Sequence, residues 1–292
     1  MRVIPFPITT YSRTLAATSL VEPQVIAPNL GPLQGLYMTL TVAIAGGTDT
    51  QTSNSIDNII SAFQCQDDAG EVLLDIHGYP DISVLNDILQ PRGVRTAAPA
   101  ISTSGAGAGT ATWSFFLPFT VMAKGMPGKI NLTWAAGSAL QNGGLASAGT
   151  VTVLLRVTGA YSTATDQPSL RVKSINVPHG SGDNNVQAFL PNGEQVEALA
   201  FVLAADYAGN TDNNLGYETL TAGGAFLVDQ EVAGEFIQQD VMLMQSGHQG
   251  GEYINRIPVF VVDSRTTLRI NLVNDDTIIL YTISTTPQGR AQ

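Results

Sequence analysis

The chain repeats itself at half its own length, and this duplication constrains it more than any local motif. VLLDIHGYPDISVLNDIL (72–89) and FLVDQEVAGEFIQQDVML (226–243) align without a gap. Each opens with an apolar run closed by an aspartate, Asp75 and Asp229. Each continues through a short break to an acid, Asp81 and Glu235, and then to apolar positions at helical spacing. The separation, 229 − 75 = 154, is about half of 292 residues. Three further pairs follow in order: SAFQCQDDAG with LAFVLAADYAG, matching Phe63 to Phe201; KINLTW with RINLVN; and TVTVLLRVT with DTIILYTIS. Their separations differ, and the differences are assigned to inserts, YAGNTDNNLGYETLTAGG in the second copy and AAGSALQNGGLASAG in the first. Repeats of 20–50 residues mark solenoids, whereas this one has the size of a domain. Two similar domains in tandem are expected, residues 1–160 with an N-terminal arm and residues 161–292, with the boundary in GAYSTATDQP (159–168).

Each domain reads as β. In KINLTW, Ile130, Leu132 and Trp134 alternate with Lys129, Asn131 and Thr133; TLRINLV alternates likewise. A period of two means strands with one buried face. Similar runs predict seven or eight strands per half, including 35–45, 56–65, 70–76, 112–119, 150–157, 169–177, 185–190, 196–204, 225–230, 257–263 and 277–284. Helix is scarce. One is expected over 81–90, capped by Asp81 with Ile82, Leu85 and Leu89 on one face. The other, over 235–245, has Ile237, Val241 and Met244 on its stripe.

Charge narrows the function classes. Only 13% of residues are charged, against about 25% in typical domains. A surface of Ser, Thr, Gln, Asn and Gly suits a subunit that lies against other proteins. The net charge is −11, and no Lys or Arg falls between Arg13 and Arg92. Binding a phosphate backbone needs clustered cations that displace counterions, so no direct nucleic-acid binding is expected. The one cysteine, Cys65, allows no internal disulfide and reads as a buried thiol. The opening MRVIPFPITTYSRT lacks an apolar core, so no signal peptide is expected, and no apolar run is long enough for a transmembrane helix.

No motif carries chemistry. GAGAGT (105–110) lacks the Lys-Ser/Thr of a phosphate loop and reads as a surface loop. His77, His179 and His248 have no ligand spacing, so no metal site is assigned. Asp67-Asp68 and Asp275-Asp276 could contribute to calcium sites, but aspartate's own turn geometry accounts for them. The sequon at Asn131 sits mid-strand and is discounted. Catalytic residues and cofactors are expected to be none.

Eight antiparallel strands in two Greek keys form a jelly roll. Two in tandem, each with one short inserted helix, resemble the double jelly-roll major capsid proteins of tailless icosahedral bacteriophages with an internal membrane, the lineage of adenovirus hexon. The resemblance rests on VLLDIHGYPDISVLNDIL with FLVDQEVAGEFIQQDVML, on KINLTW with RINLVN, and on TWSFFLPF before a Gly/Pro turn. It implies an all-β double barrel and a homotrimer whose six similar barrels tile like a hexagon. It implies a place in the virion shell after synthesis in the host cytoplasm. The implied partners are neighbouring capsomers, penton or minor capsid proteins and an internal membrane. By the same analogy the loops at 95–110 and 207–224 are outer or inter-subunit elements, and Met1–Asn29 is an arm. Two other classes compete. A trimeric spike, receptor-binding or minor capsid protein predicts aromatic clusters in loops, for which Tyr207 and Tyr217 are candidates. A bicupin-like enzyme needs two or three histidines and a carboxylate per metal site, beyond the three histidines present.

Overall fold

Alternation in the sequence becomes alternation in burial. In KINLTW every second residue, from Ile130 to Trp134, is buried, and TLRINL repeats the pattern with Leu268, Ile270 and Leu272. The computed structural model describes residues 3–15, 18–45, 56–67, 70–77, 81–89, 99, 101, 109–118, 128–137, 150–162, 170–244, 248–255 and 259–285. The chain divides into two compact units, Met1–Asn86 with Thr96–Ser169, and Asp87–Arg95 with Leu170–Gln292.

The first unit contains β1 (Val3–Leu15), β2 (Leu20–Val21), β3 (Val25–Ile26), β4 (Leu33–Ala45), β5 (Ile60–Gln66), β6 (Val72–Ile76), β7 (Gly109–Pro118), β8 (Lys129–Trp134) and β9 (Thr150–Ser162). One of its sheets has the order β1-β9-β4-β7. In the other, β5 lies between β6 and β8, and β8 also pairs with β2 and β3. All these pairings are antiparallel. Leu36, Leu40, Val42 and Leu155 fill the core from the first sheet, and Phe63, Leu74, Leu132 and Trp134 from the second.

The second unit contains β10 (Leu170–Val177), β11 (Asn185–Ala188), β12 (Gln195–Leu203), β13 (Leu215–Ala222), β14 (Ala225–Glu231), β15 (Glu252–Asn255), β16 (Phe260–Val261), β17 (Thr267–Leu272) and β18 (Ile278–Thr285). Its sheets have the orders β15-β12-β18-β10, with β16 also on β12, and β11-β17-β13-β14. Taken in chain order, the strands of the two units therefore occupy the same places. β1, β4, β7 and β9 match β10, β12, β15 and β18; β5, β6 and β8 match β13, β14 and β17; β2 and β3 together match β11. Each unit is a jelly roll, as the sequence predicts.

This order corrects one of the four sequence pairings. Phe63 lies on β5 and Phe201 on β12, and these strands hold different places. The partner of β12 is β4, and the partner of β5 is β13. The loop read over 207–224 is also corrected: Leu215–Ala222 is β13, a central strand, preceded by a six-residue helix α2 (Ala204–Gly209). The predicted strand over 257–263 shrinks to Phe260–Val261, and Ile56–Ile59 is a 3-10 turn before β5. The expected N-terminal arm is not one over Val3–Leu15, which pair along β9 as a sheet strand. Pro5 and Pro7 fit its edge position, where a missing N–H costs no ladder bond.

The two expected helices are present, α1 (Asp81–Leu89) and α3 (Ala233–Met244). Ile82, Val84, Leu85 and Ile88 of α1 are buried. The anchor of α3 is Phe236 at 1% exposure, one position before the predicted Ile237. Phe236 meets Tyr253 edge-on at 5.3 Å, and Tyr253 stacks on Phe201 at 5.0 Å, a favourable aromatic arrangement. The aligned acids do the same work. Asp81 accepts the backbone N–H of His77 at 2.6 Å, and Glu235 that of Val232 at 3.0 Å. In α3 this is the backward half of a capping box. The side chains of Leu89, Val241 and Met244 lie outside the described residues.

Candidate functional site

The second unit has a corner braced by carboxylates. Helix α2 begins after Leu203, which has no side chain able to cap it. Its first N–H groups would go unmet. Asp276, from the turn before β18, supplies the acceptor: Ala205 N–H donates to Oδ1 at 2.9 Å and Asp206 N–H to Oδ2 at 3.3 Å. Thr277 N–H (2.7 Å) and Asn214 Nδ2 (3.0 Å) also donate to Asp276. Asp206 in turn accepts from Thr211 Oγ1 and the Asn214 N–H, both at 2.8 Å. The helix ends at Asn210 in the left-handed conformation, and Asn210 Oδ1 accepts the Gly250 N–H at 2.9 Å.

A third aspartate extends the brace. Asp212 Oδ1 lies 3.0 Å from His248 Nε2 and accepts the Gly251 N–H at 3.0 Å and the Tyr253 hydroxyl at 3.1 Å. Burial alone would raise the Asp212 carboxyl. The hydrogen bonds from His248, Gly251 and Tyr253 outweigh it and hold the group below the usual carboxylate range. Gly250 and Gly251 permit the close approach. A Cβ on Gly251 would collide with the Tyr207 backbone nitrogen, and its φ of +76° is itself a glycine conformation. Three separate chain segments are locked into one corner, and its carboxylates are taken up by protein donors.

The residues that the sequence raises as possible sites do not converge. His77 pairs with Asp75 at 3.0 Å, His179 with Asp275 at 3.2 Å, and His248 with Asp212. Among the described residues no group of three or more His, Cys, Asp or Glu could hold a metal ion. Asp67 Oδ1 accepts the Glu71 N–H at 2.7 Å, a turn contact; Asp68 and residues 105–108 of GAGAGT lie outside the described residues. Cys65 is buried, and burial with the nearby Asp67 charge pushes its thiol up to about 12. Tyr207 is buried in α2, and Tyr217 sits on β13 rather than on a loop tip. It lines a groove of about 420 Å³ with Phe226, Asp229 and Arg269. No described helix is long and apolar enough to cross a membrane.

Large apolar side chains remain exposed at edges and turns. Ile4 and Phe6 lie on edge strand β1, Val21 and Ile26 on β2 and β3, Phe226 on edge strand β14, and Phe189 just after β11. Phe189 is 79% exposed and Val21 71%. Edge strands also present unpaired backbone groups.

No family model matches the chain, and no curated protein does. Solved structures do. The major capsid protein of STIV, Sulfolobus turreted icosahedral virus, superposes with a TM-score of 0.71 at 14% identity, covering 97% of this chain and all of that one. The major capsid protein P2 of bacteriophage PM2 gives 0.58 at 10% identity, covering 99% of each chain. A quasi-atomic model of the PBCV-1 virus capsid gives 0.59 at 10% identity, covering 97% and 93%. In each case the superposition covers nearly the whole of both chains. The chain has the double jelly-roll fold of these viral major capsid proteins.

Proposed function

We propose that this chain is the major capsid protein of an icosahedral virus, assembling as trimers with a pseudo-hexagonal outline. One observation carries the reading: two units with the same strand order, in a chain that matches capsid proteins over nearly its whole length. Three copies of a two-barrel chain present six similar edges, so a trimer can occupy a six-fold position in a closed shell. With the first unit ending at Ser169, beyond the expected boundary at 160, and the second resuming at Leu170, the duplication has a purpose that a spike would not need. Shell contacts are individually weak and sum over many copies. The sparse charge and the exposed Phe189, Phe226, Val21 and Ile26 suit that use.

The role is structural rather than enzymatic. The protein acts in the virion shell, with copies of itself, penton or minor capsid proteins and an internal membrane as neighbours. It makes no direct contact with the genome. Negative-stain electron microscopy of the purified full chain tests this. Class averages with a hexagonal outline are expected; particles with no six-sided outline, or single 30.7 kDa subunits, would overturn the reading.

A further inference from the structure

Inside the second unit a carboxyl group and an amide meet between the two sheets. Glu218 on β13 is fully buried, and Asn255 on β15 is 5% exposed. The first belongs to the β11-β17-β13-β14 sheet and the second to the β15-β12-β18-β10 sheet. Asn255 Nδ2 donates to Glu218 Oε1 at 3.0 Å. The remaining atoms of the pair, Glu218 Oε2 and Asn255 Oδ1, are both buried and both lack a donor. Two unmet buried acceptors in one pair are costly.

A carboxylic acid has what the pair lacks. It offers one O–H donor beside one acceptor, the complement of an amide edge. The neighbouring groups favour that state. Glu231 on β14 stands opposite Glu218 in register, and Glu235 of α3 adds negative charge beside Glu231. Arg269 on β17 is exposed, and no cation among the described residues pairs with Glu218.

We infer that Glu218 is a neutral acid in the folded protein and donates its proton to Asn255 Oδ1, closing a two-bond ring that pins the sheets together. Burial, with a smaller push from Glu231, raises the carboxyl to about 8 from 4.5. The sign follows. The native state holds a proton that the unfolded chain releases, so stability falls as pH rises between those values. It falls by up to tenfold in the folding constant per pH unit and levels off above them. The fold would be tighter in mild acid and looser in mild alkali.

Infrared spectra of the full chain and of Glu218→Gln, together with urea unfolding across the same pH range, test the inference. Glutamine keeps one donor and one acceptor and cannot titrate. The wild type is expected to show a protonated-carboxyl C=O band at neutral pH that the variant lacks. Its folding constant should drop with rising pH relative to the variant's. Equal spectra and parallel pH curves would overturn the inference. If the variant does not fold, the wild-type band decides alone. Its loss near pH 8 supports the neutral acid; its absence at neutral pH contradicts it.

Discussion

The indole N–H of Trp134 donates to Glu22 Oε1 at 2.8 Å, and the other oxygen of Glu22 accepts from Arg13 at 2.8 Å. Trp134 lies on β8 and Arg13 on β1, so one buried carboxylate links both sheets of the first unit. Glu22→Ala would leave the indole N–H of a fully buried tryptophan without its acceptor. The expected loss is about 1–3 kcal/mol. Arg13 is partly exposed and adds little. Glu22→Gln keeps the indole bond and should cost less. Urea midpoints followed by tryptophan fluorescence measure both variants.

Two glycines separate backbone strain from collision. At Gly182 (φ +81°) the place a Cβ would take has nothing within 4 Å, whereas a Cβ on Gly251 (φ +76°) would strike the Tyr207 backbone. Gly182→Ala should cost about 1 kcal/mol in conformational strain. Gly251→Ala adds a clash with backbone that cannot swing away and should cost several times more. Thermal unfolding of the two variants side by side gives the difference.

The Asp212 cluster should appear in the acid limb of stability. Its folded carboxyl sits below 3.8, so its contribution is present above that value and is lost as pH falls through the lower folded value. Asp212→Asn removes this titration. The stability of the wild type should therefore fall more steeply than the variant's below about pH 4, as read from denaturant midpoints at a series of pH values.

Cys65 is walled off in the first unit, with its thiol raised to about 12. A thiolate is the reactive form. The native protein should resist a thiol reagent at neutral pH and react once urea unfolds it. Rapid labelling of the folded chain would contradict the burial.

Legibility followed range. KINLTW and RINLVN are readable because alternation is written residue by residue, and both become matching strands, β8 and β17. The helix corner is readable because Asp81 and Glu235 keep the same local task in both copies. Phe63 and Phe201 mislead for the same reason in reverse. Buried strands share an apolar vocabulary, and only hydrogen-bonded neighbours tell β5 from β12. Strand β13 lies hidden inside a polar, glycine-flanked stretch, where Glu218 reads as a loop acid although it belongs to the core. The Asp276 brace joins residues about 70 positions apart, beyond any local pattern. A lone acid inside an apolar strand, as in LGYETLTA or EYIN, is the one available signal for buried polar work.

The central claim is that duplication within one chain serves a three-copy capsomer. Native mass spectrometry of the purified full chain tests it most directly. The account predicts a species near 3 × 30.7 = 92.1 kDa. A stable 30.7 kDa monomer that never associates would contradict it.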